Sequence, residues 1–307
     1  MAGHSIPIDL RVEPSKVKDE ESRKELLRKL VPLVEPYAGP LSEVNNAVLP
    51  GNNYHSLYTA DSGNTFSVKL YGNGLVSGLF EHYTEDVNKQ LIAVDEALQL
   101  EKRIMKACGA LKVKVLAGIK RAPPINPYYT SSDDRLLEYD IDEVKFSETT
   151  PYQKVEIVHS KSFGNILVLD NLQNLAESDL AYTHGLMNKG VESYEGKTVL
   201  ILGGGDGALM HELLQECPKH VLMVDIDEAV MRCCKKYLRN ACGSTLDSFK
   251  GDNYEAIGMQ CTEALDMFEK KLAAVSVGVQ DITRTARFVP SFMENWGFIQ
   301  ATRRPLP

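Results

Sequence analysis

Three features of this 307-residue sequence predict an α/β fold organised around a parallel, nucleoside-binding sheet. Val199-Leu-Ile-Leu202 is an apolar run suited to a buried strand. Gly203, Gly204, Gly205 and Gly207 break it, and helix formers resume at Ala208. A second apolar run from His220 ends in an acid, Asp225, nineteen residues beyond Asp206.

Strand, glycine turn and helix open a βα unit in which bare backbone lets a ligand approach a helix N-terminus. Gly203, Gly205 and Ala208 fit the G-x-G-x-x-G/A spacing, which also suits a plain tight turn. Asp225, at the tip of the second strand, is placed to accept hydrogen bonds from ribose hydroxyls. In the segment after Asp227, Val230, Met231, Cys234, Tyr237, Leu238 and Ala241 form a helical stripe that reads as core. Asp206 is the unusual member of the turn. A carboxylate there repels phosphate and attracts a cation, so the expected ligand is a phosphate-free nucleoside with positive charge near it. A sulfonium nucleoside meets both conditions.

The rest of the chain supplies context. Hydrophobic content of 43% and charged content of 25% are those of an ordinary globular protein. A net charge of −8 argues against nucleic acid or an anionic membrane as partner and tolerates a cationic substrate. The six cysteines have no C-x-x-C spacing, so no zinc site or disulfide framework is expected. Without an apolar signal region or a stretch of transmembrane length, the expected location is cytoplasmic.

Residues 1–120 read as a small α+β domain. Asp19 to Val34 carries leucines at helical spacing and is expected to end at Pro32 and Pro36. Tyr54–Ala60, Thr65–Tyr71 and Leu75–Tyr83 read as a three-stranded meander with hairpin turns, and Val87–Cys108 as a long amphipathic helix. One face or edge of such a sheet stays free for self-association. The proline-rich segment 122–127 is a stiff linker. Residues 121–185 read as a β-layer, with strands at Leu136–Phe146, Gln153–His159 and Asn165–Leu169. Gln153 and Tyr182 follow as polar candidates, which the spacing alone also allows as a surface strand residue and a packing aromatic. Residues 186–307 hold the nucleoside-binding sheet.

Several segments together carry a family resemblance: Glu138-Tyr-Asp-Ile-Asp-Glu143, Pro151-Tyr-Gln-Lys154, His159 to Leu169, Asn174-Leu-Ala-Glu-Ser-Asp-Leu-Ala-Tyr-Thr183 and Leu200-Ile-Leu-Gly-Gly-Gly-Asp-Gly207. They resemble the polyamine aminopropyltransferases, and the Asn174–Thr183 run resembles the animal spermine synthase branch. The resemblance implies a Rossmann-like, methyltransferase-type sheet behind a β-layer and an N-terminal domain that is related to adenosylmethionine decarboxylase and forms homodimers. It implies transfer of an aminopropyl group from decarboxylated adenosylmethionine to spermidine, giving spermine and methylthioadenosine. The sulfonium is already a good leaving group, so no metal or cofactor is implied. By the same resemblance Gln153 and Asp225 contact the nucleoside, where the family usually has Glu in place of Asp225. Tyr182, Asp206 and Glu294 hold the amine.

After Ile257 the sequence departs from that pattern. The family continues through further strands, one ending in an Asp-Leu-Thr motif whose Asp is the general base. Here residues 258–265 pass directly into a segment resembling a later helix, and no Asp-Leu-Thr follows. Gln260-Cys261 stands where the family binds adenine with Asp-Cys, and Phe292 where it has Tyr. The catalytic base is therefore expected to be missing through an internal deletion. Independently of the resemblance, the 110 residues from Thr198 onward hold about four strand-plus-crossover units of roughly 25–30 residues, so a shortened sheet is expected. Two other functions fit: a methyltransferase using adenosylmethionine itself, or a non-catalytic dimerisation subunit.

Overall fold

The computed structural model describes residues 2–86, 91–116, 118–131, 134–258, 279–290 and 294–303. They divide into two units, Met1–Asn126 and Pro127–Pro307, which meet inside the proline-rich segment.

In the first unit, strands β1 (Ala2–Arg11), β2 (Ser42–Leu49), β3 (Asn53–Thr59), β4 (Thr65–Leu70), β5 (Leu75–Thr84), β6 (Lys112–Val115) and β7 (Ile119–Arg121) form one antiparallel sheet. The order is β2-β3-β4-β5-β1-β6, with β7 also on β1. The expected meander β3–β5 is present at its predicted positions, but it is the middle of a larger sheet. Alternation of Ile6, Ile8 and Leu10 makes β1 a strand with one buried face. That strand inserts between β5 and β6, a long-range pairing that no local pattern encodes.

Helices α1 (Glu20–Ala38) and α2 (Val94–Cys108) pack on one face of this sheet. Asp19 caps α1 by accepting the Ser22 N–H at 2.9 Å. The expected stop at the prolines does not occur: Pro32 and Pro36 lie inside α1, which ends at Gly39 with φ of 84°. Both prolines are on the exposed side, where carbonyls left without an N–H partner can turn to water. Meanwhile Val31, Val34 and Ala38 continue the buried stripe. α2 starts seven residues later than expected, and residues 87–90 of that expected helix lie outside the described residues. Its buried stripe is Ala97, Leu100, Ile104 and Cys108, whereas Val94, Leu98 and Met105 are exposed.

The second unit begins with a short hairpin, β8 (Tyr128–Thr130) and β9 (Leu136–Glu138), then an antiparallel meander. Its strands are β10 (Ile141–Thr149), β11 (Lys154–Ser160), β12 (Gly164–Leu169) and β13 (Leu172–Ala176). Helix α3 (Leu180–Leu186) leads to a parallel sheet of β14 (Thr198–Leu202), β15 (His220–Asp225) and β16 (Tyr254–Gly258), in that spatial order. Helices α4 (Ala208–Leu214), α5 (Glu228–Tyr237) and α6 (Arg239–Cys242) connect these strands. Val155, Ile157, Leu167 and Leu175 of the meander share one core with Ile201, Met210, Met223 and Cys234. The β-layer and the parallel sheet therefore fold as one body.

Among the described residues the parallel sheet has three strands, with β14 at its edge. Parallel strands are normally covered on both faces. Here Leu200 and Leu202, two residues apart on the same face, are 56% and 49% exposed. Strands β17 (Val279–Val289) and β18 (Glu294–Arg303) form a separate antiparallel hairpin. The expected late helix falls on residues 259–278, outside the described residues.

Candidate active site

The glycine turn leaves β14 with Gly203 and Gly204 at φ of 79° and 78°, and it enters α4 through Gly207 at 77°. Gly203 N–H donates to Val224 O at 2.8 Å, which ties the turn to the neighbouring strand. Gly205 is required for a different reason. A Cβ there would lie 2.7 Å from the carboxyl carbon of Asp225.

Asp225 occupies the predicted tip of β15 and is 9% exposed. Its Oδ2 accepts the Gly205 N–H at 2.7 Å and its Oδ1 the Asp227 N–H at 2.9 Å. The acid therefore braces the glycine turn against the next helix while bordering the cavity described below.

Asp227 carries a role that sequence reading missed when it took this residue only as the start of a helix. It is 3% exposed. Its Oδ1 caps α5 through the Ala229 N–H at 3.0 Å. Its Oδ2 accepts from Thr150 Oγ1 at 2.8 Å and Gln153 Nε2 at 3.1 Å. Gln153, just before β11, is thereby anchored by a residue 74 positions later. The only local signal was the Asp225-Ile-Asp227 spacing at a strand end.

Asp206 is half-buried, and its Oδ1 accepts the Ala208 N–H at 2.8 Å. It thus supports the start of α4 as well as facing the cavity. Burial pushes its carboxyl above the usual carboxylate range, with the Asp225 charge adding to the rise against the Ala208 hydrogen bond. Tyr182, on α3, is held above the ordinary phenol value by burial first, then by Asp206 and Asp179.

These groups converge on one cavity of about 590 Å³. Gln153, Tyr182, Asp206, Asp225 and Gly203 to Gly205 line it, together with Asn174 and Thr183. Leu167, Leu169, Met187, Leu209 and Val230 supply apolar wall, and the exposed edge of β14 forms a further side. Gly207 shapes the turn but does not line the cavity. Among the described residues no Lys or Arg lines it, and the two acids that do, Asp206 and Asp225, favour a cation over a phosphate. Among the described residues no group of three His, Cys, Asp or Glu side chains could hold a metal ion. The side chain of Glu294, at the start of β18, lies outside the described residues, as do Gln260, Cys261 and Phe292.

Comparison with known proteins gives matches over the second unit. Residues 127–177 match the spermidine synthase tetramerisation domain, and residues 179–296 match the spermine/spermidine synthase domain. The polyamine aminopropyltransferase of Thioalkalivibrio sulfidiphilus is 34% identical over 126 residues, covering 40% of this chain and 44% of the relative. That of Clostridium acetobutylicum is 32% identical over 148 residues, covering 47% and 50%. The chain thus spans about half the length of the curated relatives it matches. The crystal structure of spermidine synthase from Thermotoga maritima overlaps 46% of this chain and 50% of its own, with a TM-score of 0.40 and 22% identity. Among the described residues no helix is long and apolar enough to cross a membrane. Across residues 127–177 and 179–296, this chain belongs to the spermidine/spermine synthase family.

Proposed function

We propose that the cavity is the substrate site of an aminopropyltransferase of the spermine synthase type. It would take decarboxylated adenosylmethionine as donor and spermidine as acceptor, in the cytoplasm. The observation that carries this reading is the convergence of Gln153, Tyr182, Asp206 and Asp225 on one cavity whose lining, among the described residues, has two acids and no cation. In this reading Gln153 and Asp225 hold the nucleoside end, and the glycine turn lets the donor lie close to backbone. Tyr182 and Asp206 hold the amine end, with Glu294 as a further acid. An ammonium group entering the site would oppose the burial that raises the Asp206 carboxyl above the usual carboxylate range.

The chemistry asks little of a cofactor. The sulfonium leaves as methylthioadenosine when the amine nitrogen attacks the adjacent carbon, and the protein must align the two and take up a proton. Thermal shift with methylthioadenosine, followed by product analysis with decarboxylated adenosylmethionine and spermidine, tests the reading. Stabilisation by methylthioadenosine with any spermine formed supports it. Methyl transfer from adenosylmethionine, or no response to either nucleoside, rejects it.

A second reading, a non-catalytic subunit pairing with an intact enzyme, is favoured by the exposed Leu200 and Leu202 at the edge of β14. The first unit, whose sheet has helices on one face, would serve as the homodimer contact. The segment matching the tetramerisation domain offers a second contact within the other unit.

A further inference from the structure

Tyr182 and Asp206 stand on different elements, α3 and the turn before α4, so an amine held between them requires those elements to keep a set spacing. α3 has seven residues, too few to be stable in isolation. Its side-chain tie to α4 is a partly buried cluster centred on one buried carboxylate. Glu212 lies on α4, six residues beyond Asp206, and is 7% exposed. Its Oε2 accepts from Lys189 Nζ at 2.6 Å and from His184 Nε2 at 2.8 Å. Its Oε1 accepts from Gln215 Nε2 at 3.1 Å.

His184 is two positions after Tyr182, which turns the two side chains about 200° apart around α3. One short helix therefore shows its phenol to the cavity and its imidazole to α4. A carboxylate this buried is stable as an ion only while its hydrogen-bond donors stay in place. Burial alone would raise the Glu212 carboxyl, but its bonds to Lys189 and His184 outweigh that and hold it below the ordinary value.

We propose that Glu212 is the positioning residue of the amine subsite, fixing Tyr182 relative to Asp206 by gripping His184 and Lys189. This rests on the amine assignment of Tyr182 and Asp206 made above. Glu212 touches no substrate; it acts through the placement of α3. A charge-assisted contact depends steeply on geometry, so slack of about 1 Å between the helices is enough to weaken one ligand selectively.

The test is isothermal titration of the full chain with spermidine and, separately, methylthioadenosine. Glu212→Gln, which keeps the shape and removes the charge, should bind spermidine about tenfold more weakly and methylthioadenosine within about twofold of wild type. His184→Phe should behave in the same direction, and Lys189→Arg, which retains a cationic donor, should preserve both affinities. Amide hydrogen exchange should quicken in α3 of the Gln variant and stay unchanged in α5. Equal loss of both ligands, or unchanged spermidine affinity in a folded Gln variant, would overturn the proposal. If Glu212→Gln does not fold, His184→Phe carries the same two readouts. A wild-type chain that binds methylthioadenosine but no spermidine would reject the amine subsite itself, and this inference with it.

Discussion

The carboxylate of Asp225 accepts the Gly205 N–H at 2.7 Å and fills the space that a side chain on Gly205 would need. Turn and acid are thus one device, and each residue type is explained by the other. Gly205→Ala should destabilise the chain by about 1–3 kcal/mol through overpacking. Asp225→Ala should cost about 1–3 kcal/mol for each of the two buried N–H groups it leaves unpaired. The double variant is the informative one. With the carboxyl gone, the added methyl has room, so the double variant should be less destabilised than the sum of the single variants. Urea unfolding of the four chains measures this, and strict additivity would contradict it.

Asp206→Asn should separate stability from binding. A carboxyl whose folded value is raised keeps its proton more readily in the folded state than in the unfolded chain. Its ionisation therefore costs stability at neutral pH. The cost disappears as pH falls through the raised value toward the ordinary carboxyl value of 3.8. The Asn variant, which cannot ionise, should melt at or above wild type at pH 7 and lose that advantage on acidification. Spermidine binding should weaken by about 1.5–3 kcal/mol, through loss of a charge-assisted contact. Unchanged spermidine affinity in calorimetry would sink the substrate role.

The first unit should associate by itself. It has its own core of helix and sheet residues and ends in the proline-rich segment. Light scattering of residues 1–126 should give twice the monomer mass. A clean monomer at micromolar concentration would remove this unit as the homodimer contact.

Turnover should be poor. A primary amine near pKa 10.4 is mostly protonated at pH 7, and we propose that the base implied by family resemblance is missing after Ile257. General bases contribute on the order of 10²–10⁴-fold, so spermine formation should run at least about a hundredfold below an intact relative. Inserting the family's strand–helix segment after Ile257 should restore it. Turnover at the relative's rate by the chain as it stands would show that another group takes the proton.

How far the site was legible in the sequence follows from the range of its contacts. Gly203 to Gly207, Asp206 and the Asp225 tip were readable because strand, turn and helix are adjacent in sequence. The anchoring of Gln153 by Asp227 was not, because 74 residues separate them and neither position is unusual on its own strand or helix. The same holds in the first unit. Alternation marked Tyr54 to Tyr83 as strands, but nothing local announced that β1 would become an interior strand. Pro32 and Pro36 misled for the opposite reason, since a local rule against proline gave way to a buried stripe running past them.

The interior position of β1 also bears on the order in which the chain can assemble. Ile8 is aligned with Val115 on β6, a separation of 107 residues. On a ribosome adding roughly 5–20 residues per second, β1 emerges on the order of 5–20 s before the strand that flanks it on that side. Throughout that interval its row of Ile6, Ile8 and Leu10 has at most one neighbour. The first unit should therefore close late and all at once, as slow topologies with distant pairings do. Force-sensitive arrest during translation should place that closure after residue 115 has cleared the exit tunnel.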